Sequence, residues 1–184
     1  HVATPAEIEA TLTQGDYLGI KGRHYVDTAL VLRSPEDTYQ PNNPLAQDLE
    51  AQLKRELGKN LRLPVMIPLR GLALKVANNK YGLGFVLRED AAVIHDDILN
   101  QRGYFEQNDI NKETGLPTTI REKGSRQFYI RDSGLSGLVV DGSLSLDADW
   151  SNLGISFDSG RVVVAKNFSS GNPVLKEKAD QKSK

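Results

Sequence analysis

The chain has 184 residues and a formal net charge of −1, long enough for one domain with a sizeable core and too balanced to favour nucleic acid or an anionic membrane. It has no cysteine, which excludes disulfides, thiol catalysis, iron–sulfur clusters and cysteine-ligated zinc. Aromatic residues make up 7% and are too scattered for a base-stacking platform, and no apolar run has the length of a membrane span.

The chain opens His1-Val2-Ala3 without an initiator methionine, which reads as a processed, trimmed or tagged end. Thr4-Pro5-Ala6-Glu7 is a helix start: Thr4 caps, Pro5 suits the first turn and Glu7 completes a capping box. Ile8 and Leu12 give a short apolar stripe, and Gly15 ends the helix. Tyr17 to Arg33 reads as strand, with Gly19 and Gly22 marking a bend before Thr28–Leu32. Asn43-Pro44 opens a longer helix that ends near Leu57, with Gly58 behind it. Leu45, Leu49, Leu53 and Leu57 form its apolar stripe.

Leu61–Arg70 alternates, but Pro64 and Pro68 cannot donate to a ladder, so an edge strand or extended arm is expected. Leu72–Ala77 and Gly82–Arg88 read as a hairpin. Asp90–Arg102 fits either period; Asp90 as cap, Ile94 with Ile98 and a terminal Gly103 favour a helix. Tyr104 to Pro117 is polar and reads as a loop. From Thr118 to Phe168 apolar and polar residues alternate between glycine turns, the pattern of an antiparallel sheet with one buried face. Lys123-Gly124-Ser125 is expected to join Thr118–Glu122 to Arg126–Arg131. Asp141-Gly142 reads as a two-residue hairpin turn before Ser143–Trp150, and Asp158-Ser159-Gly160 as a turn between strands at Ile155–Phe157 and Val162-Val163-Val164. The fold class expected is α+β: mostly antiparallel sheet built from hairpins, one main amphipathic helix packed on it and one or two short helices, in a single domain over 1–168. Residues 169–184 have little to bury and read as a flexible tail.

Several groups could carry chemistry. Asp109, Asn111 and Glu113 place oxygens at alternate positions, as a calcium loop requires, although Thr114 stands where an EF-hand loop has glycine. His1, through its amine and imidazole with His24 or His95, could hold copper. Asp147 and Asp149 share one strand parity, where they are either a cation-binding pair or a solvated outer face. His95-Asp96-Asp97 would not converge on a helix. Arg121, Lys123, Arg126 and Arg131 form a local basic patch without interleaved aromatics, which argues against nucleic acid. Gly82-Leu83-Gly84 lies inside a hairpin with no helix to follow, and no phosphate-binding loop, nucleophile elbow or zinc-protease motif is present. The leading expectation is a non-enzymatic binding or assembly module that pairs with a protein partner or with itself. Metal binding (copper or calcium), or a hydrolase whose site assembles only in space, are the alternatives.

Overall fold

The protein is described here from a computed structural model, which describes residues 1–15, 19–22, 24–153 and 160–165. The strand expected at Ile155–Phe157, the first residues of the Asp158–Gly160 turn and the tail after Phe168 lie outside the described residues.

Both long helices form where local signals place them. Helix α1 spans Pro5–Thr13. The Thr4 hydroxyl accepts from the Glu7 N–H at 3.2 Å, and the Glu7 carboxylate accepts from the Thr4 N–H at 2.8 Å, a closed capping box. Helix α2 spans Asn43–Leu57 and buries Leu45, Ala46, Leu49 and Leu53. Among the described residues no helix is long and apolar enough to cross a membrane.

Most of the chain is sheet. Strands β1 (Tyr25–Leu32), β2 (Val65–Pro68), β5 (Ile94–His95), β6 (Gly103–Phe105), β7 (Arg126–Ile130), β8 (Leu135–Val140) and β9 (Leu146–Trp150) lie in the order β5-β2-β1-β8-β9-β7-β6. Strand β10 (Gly160–Arg161) pairs with Tyr25 and Val26 of β1, just beyond the residues that β2 engages. Strands β3 (Leu72–Val76) and β4 (Leu83–Leu87) form the expected hairpin as a separate two-stranded sheet.

The main sheet is mixed, not purely antiparallel. β9 runs antiparallel to β8 but parallel to β7, and β10 runs parallel to β1. The chain leaves β7, passes the end of β9 into β8, and returns as β9 between the two. β7 and β9 are thereby parallel neighbours, because β8 lies beyond β9 and the chain turns back from it antiparallel.

Four other expectations are corrected. Residues 90–102 hold no α-helix: Ile94 and His95 pair with Met66 and Val65, and Asp97–Asn100 is one 3-10 turn capped by Asp96. The free edge of β2 offers ladder bonds and a place in the core for Ile94, and these outweigh a marginal helical pattern. β2 is therefore an inner strand between β1 and β5, tolerated because Pro64 lies outside it and Pro68 is its last residue. Thr118–Glu122 is not a strand; only Arg121 bridges Tyr104, while β7 takes β6 and β9 as neighbours. Residues 141–145 replace the two-residue turn: the Asp141 carboxylate accepts from the Ser143 and Ser145 N–H groups at 2.8 and 2.9 Å, and Leu144 adopts a left-handed φ of 67°.

The two faces of the sheet bury separate cores. On one, Val26, Ala29, Val31, Leu138, Val140, Leu146, Ala148 and Phe128 meet Ile8 and Leu12 of α1, with Leu99, Phe105 and Leu116. On the other, Leu30, Leu32, Val65, Ile67 and Leu135 meet α2 and the β3–β4 hairpin. α1 is fastened by a buried pair: Arg126 donates to both Glu9 carboxylate oxygens at 2.6 and 2.7 Å, with its guanidinium 4.7 Å from the Phe105 ring centre. Gly115 sits against the start of α1, where an added Cβ would strike the backbone of Pro5 and Ala6.

The Glu9→Ala variant strands Arg126 as a buried unpaired charge and is expected to lose about 3–5 kcal/mol in urea unfolding. The double variant Glu9→Leu/Arg126→Met removes both charges and is expected to lose much less.

Candidate functional site

The α2–hairpin layer covers only part of its sheet face, and two bulges decide what the uncovered part displays. In β1, Asp27 stands opposite Val139 and Ala29 opposite Leu138, so Thr28 is the extra residue, and its hydroxyl donates to the Leu138 carbonyl at 2.8 Å. In β9, Asp147 stands opposite Val139 and Trp150 opposite Gly137, so Ala148 and Asp149 together face Leu138. Each bulge shifts the side-chain parity by one residue. Trp150 leaves the face of Ala148 and joins Tyr25, Asp27, Val139 and Asp147 on the other. Gly137 has no side chain to compete with the indole.

The Tyr25 and Trp150 rings meet with centroids 5.5 Å apart and planes tilted by 34°, within the range of a favourable aromatic contact. They wall two hollows. The larger, about 490 Å³, is bounded by Gly22, His24, Asp141, Ser143 and Asp147 together with the ring pair. The smaller, about 200 Å³, lies on the other side and is bounded by Asp27, Leu30, Leu69, Phe85 and Leu153.

Two carboxyls here, Asp147 and Asp27, are held toward their neutral forms. Burial pushes Asp147 up to about 7; a hydrogen bond with the Asp149 side chain and the charges of Asp149 and Asp141 add to this, while the Asp149 N–H, donating at 2.9 Å, opposes it. Burial alone raises Asp27. Tyr129, paired with Asp147 across β7 and β9, is raised by burial and then by Asp141. Among the described residues His24 Nδ1 is buried without a hydrogen-bond partner, a group that a bound ligand could satisfy. The arrangement can therefore donate as well as accept hydrogen bonds at neutral pH, next to two aromatic rings.

The residues singled out from sequence sit apart. His1 donates its amine to the Ala165 carbonyl at 3.1 Å and its Nε2 lies 2.9 Å from the Glu7 carboxylate. His95 is on β5, two strands from β1, with Nδ1 2.9 Å from the Pro64 carbonyl. His24 alone of the three lines the cleft. Asp109 pairs with Arg121 at 3.0 Å, Asn111 accepts from the Glu113 and Thr114 N–H groups, and Glu113 is exposed. Among the described residues no three His, Asp or Glu side chains gather as a metal site would need. The basic patch is divided: Arg121 pairs with Asp109, Arg126 with Glu9 and Arg131 with Asp37.

Sequence reasoning put Asp147 and Asp149 on one strand face, as a cation pair or a solvated face, and missed Tyr25, Asp27 and Trp150. Parity placed Trp150 with the core, and a bulge cannot be read from parity. A carboxylate within the apolar run of β1 was the available signal for Asp27. Compared with protein-family models, curated proteins and solved structures, the chain matches none.

Asp147 binds a proton in the folded chain at a pH where the unfolded chain, with its carboxyl near 3.8, has released it. Its contribution to stability is complete below that value and lost as pH rises to about 7. Urea unfolding across this window should show stability falling with rising pH, and Asp147→Asn should flatten the fall.

Proposed function

We propose that this protein is a binding module without chemistry of its own, and that the sheet-face cleft takes an uncharged polyhydroxylated ligand, a segment of carbohydrate. One observation carries the reading: the Tyr25–Trp150 ring pair stands between two hollows beside a carboxyl pushed up to about 7. A sugar presents apolar C–H faces and hydroxyls that both donate and accept. Aromatic rings suit the first, and a carboxyl pushed up to about 7, able to donate when protonated and accept when not, suits the second. A fully ionised acidic cluster would offer acceptors only.

The chain has one tryptophan, so its intrinsic fluorescence reports on this cleft. Titration with a panel of neutral oligosaccharides should yield at least one that shifts or quenches the emission. Tyr25→Ala should weaken that binding about fivefold, by removing a ring contact of about 1 kcal/mol. Unchanged emission across the panel at millimolar concentrations would sink the reading.

Two other readings have an observation behind them. A carboxyl near neutrality is what a general acid needs, so a glycan-cleaving hydrolase with Asp147 as proton donor is the enzymatic alternative; new reducing ends during the same titration would favour it. An assembly role, with a protein partner or a second copy, draws on the β3–β4 hairpin, where Leu74 and Val76 are 69% and 95% exposed. If that reading holds, sedimentation of the wild type should show self-association, and Leu74→Glu/Val76→Glu should abolish it. Copper at His1 or calcium at Asp109 and Asn111, with Glu113, would first have to displace the hydrogen bonds that His1, Asp109 and Asn111 already make.

A further inference from the structure

We propose that the smaller hollow is a subsite for an organic ammonium group, with Asp27 as its counter-ion and the Tyr25, Trp150 and Phe85 rings as its walls. The inference deepens the carbohydrate-cleft reading, since the two hollows share the ring pair, and it rests on the cleft being a ligand site.

Asp27 is half-buried at the mouth of an apolar strand face. Among the described residues it has no hydrogen-bond or ion-pair partner, and burial is the only influence on its ionisation. A carboxylate taken from water without a partner is costly, and such groups in folded proteins call for an explanation. The remaining walls, Leu30, Leu69, Phe85, Gly137, Leu153 and Val162, supply no positive charge. Among the described residues Asp27 is left to solvent or to a ligand that enters the hollow.

The chemistry of the walls selects the entrant. A hard metal ion wants six or more oxygens, and this hollow offers one carboxylate and the Asn152 amide. A second anion would be repelled. An ammonium carried on carbon fits: its charge meets Asp27, its C–H groups meet the leucines, and the ring faces attract it electrostatically. The volume of about 200 Å³ falls below the usual size of a site for a whole drug-sized ligand, about 300 Å³ and upward. It therefore suits a terminal amine or a small quaternary ammonium. Two sources carry that group, a free amine and an amine-bearing sugar spanning both hollows; the shared chemistry is the alkylammonium.

The test is an amide NMR titration of the whole chain with n-butylammonium and tetramethylammonium chloride, against sodium chloride and the neutral isostere n-butanol. The expected result is saturable shifts at Asp27, Gly137 and Leu153 with at least one ammonium, and binding of butanol weaker by about tenfold or more. Asp27→Asn, checked for a dispersed spectrum, should reduce ammonium binding to the level of butanol. Equal binding of butanol and ammonium in the wild type would overturn the proposal without recourse to any variant, and so would no shift with either. An amino-sugar that binds more tightly than its neutral counterpart places the ammonium on a larger ligand; equal affinity leaves the free amine as the source. If a neutral oligosaccharide perturbs Trp150 while no ammonium shifts the smaller hollow, only the ammonium subsite fails. Silence from both overturns the cleft as a ligand site.

Discussion

β9 is bonded along both edges, antiparallel to β8 and parallel to β7, and the rest of the molecule is arranged around that constraint. Its Leu146 and Ala148 complete the core under α1. Its Asp147 and Trp150 project to the opposite face and line the cleft. One strand can do both because the bulge opposite Leu138 adds a residue and reverses parity part-way along. A regular β9 would send Trp150 into the face already filled by Ala148. The matching irregularity in β1, at Thr28, brings Asp27 and Tyr25 onto the cleft face while Ala29 and Val31 stay in the core. Both irregularities sit at the level of Leu138, so the cleft is a local change of pairing between two strands.

The cleft exists because the second layer stops short, and polar anchors fix where it stops. Asn42 donates to the Leu135 and Ser151 carbonyls at 2.9 and 2.6 Å and accepts from the Tyr81 hydroxyl at 2.9 Å. Gln52 accepts from the Leu87 N–H and donates to the Phe85 carbonyl, both at 2.8 Å, in the way a neighbouring strand would. Helix α2 thereby seals one edge of the hairpin while apolar contacts hold both against the sheet. Hydrogen-bonded side chains such as these fix a position more sharply than leucine contacts, because misplacement leaves them unsatisfied in a dry interior.

Buried charge does the same for the peripheral segments. Arg126 binds Glu9, Gln107 and the Leu144 carbonyl, joining α1, the 107–109 turn and the β8–β9 connection. Arg33 donates to the Leu99 carbonyl at 2.9 Å and to Ser136 at 3.0 Å, and burial lowers it to about 10. It holds the turn after β5 to the sheet. Pairs of this kind add little net stability over an apolar replacement, yet removing one partner is expensive. Their evident effect here is to specify which segment lies where.

The sequence by itself determined what depends on neighbours a few residues apart. The Thr4–Glu7 box, the Pro44 start and Leu stripe of α2 and the β3–β4 hairpin are local patterns, and all formed; the alternation of β9 held only as far as Ala148, where the bulge reverses it. The Asp90–Arg102 segment did not follow its pattern, because the bonds that captured Ile94 and His95 come from β2, about thirty residues earlier in the chain. The tertiary structure alone decided strand order, the parallel pairing of β7 with β9 and the two bulges, since each is a choice among partners distant in the chain. It therefore also decided the cleft: Asp27 and Trp150 lie on strands that never meet directly but flank β8, and only the fold brings them to one face.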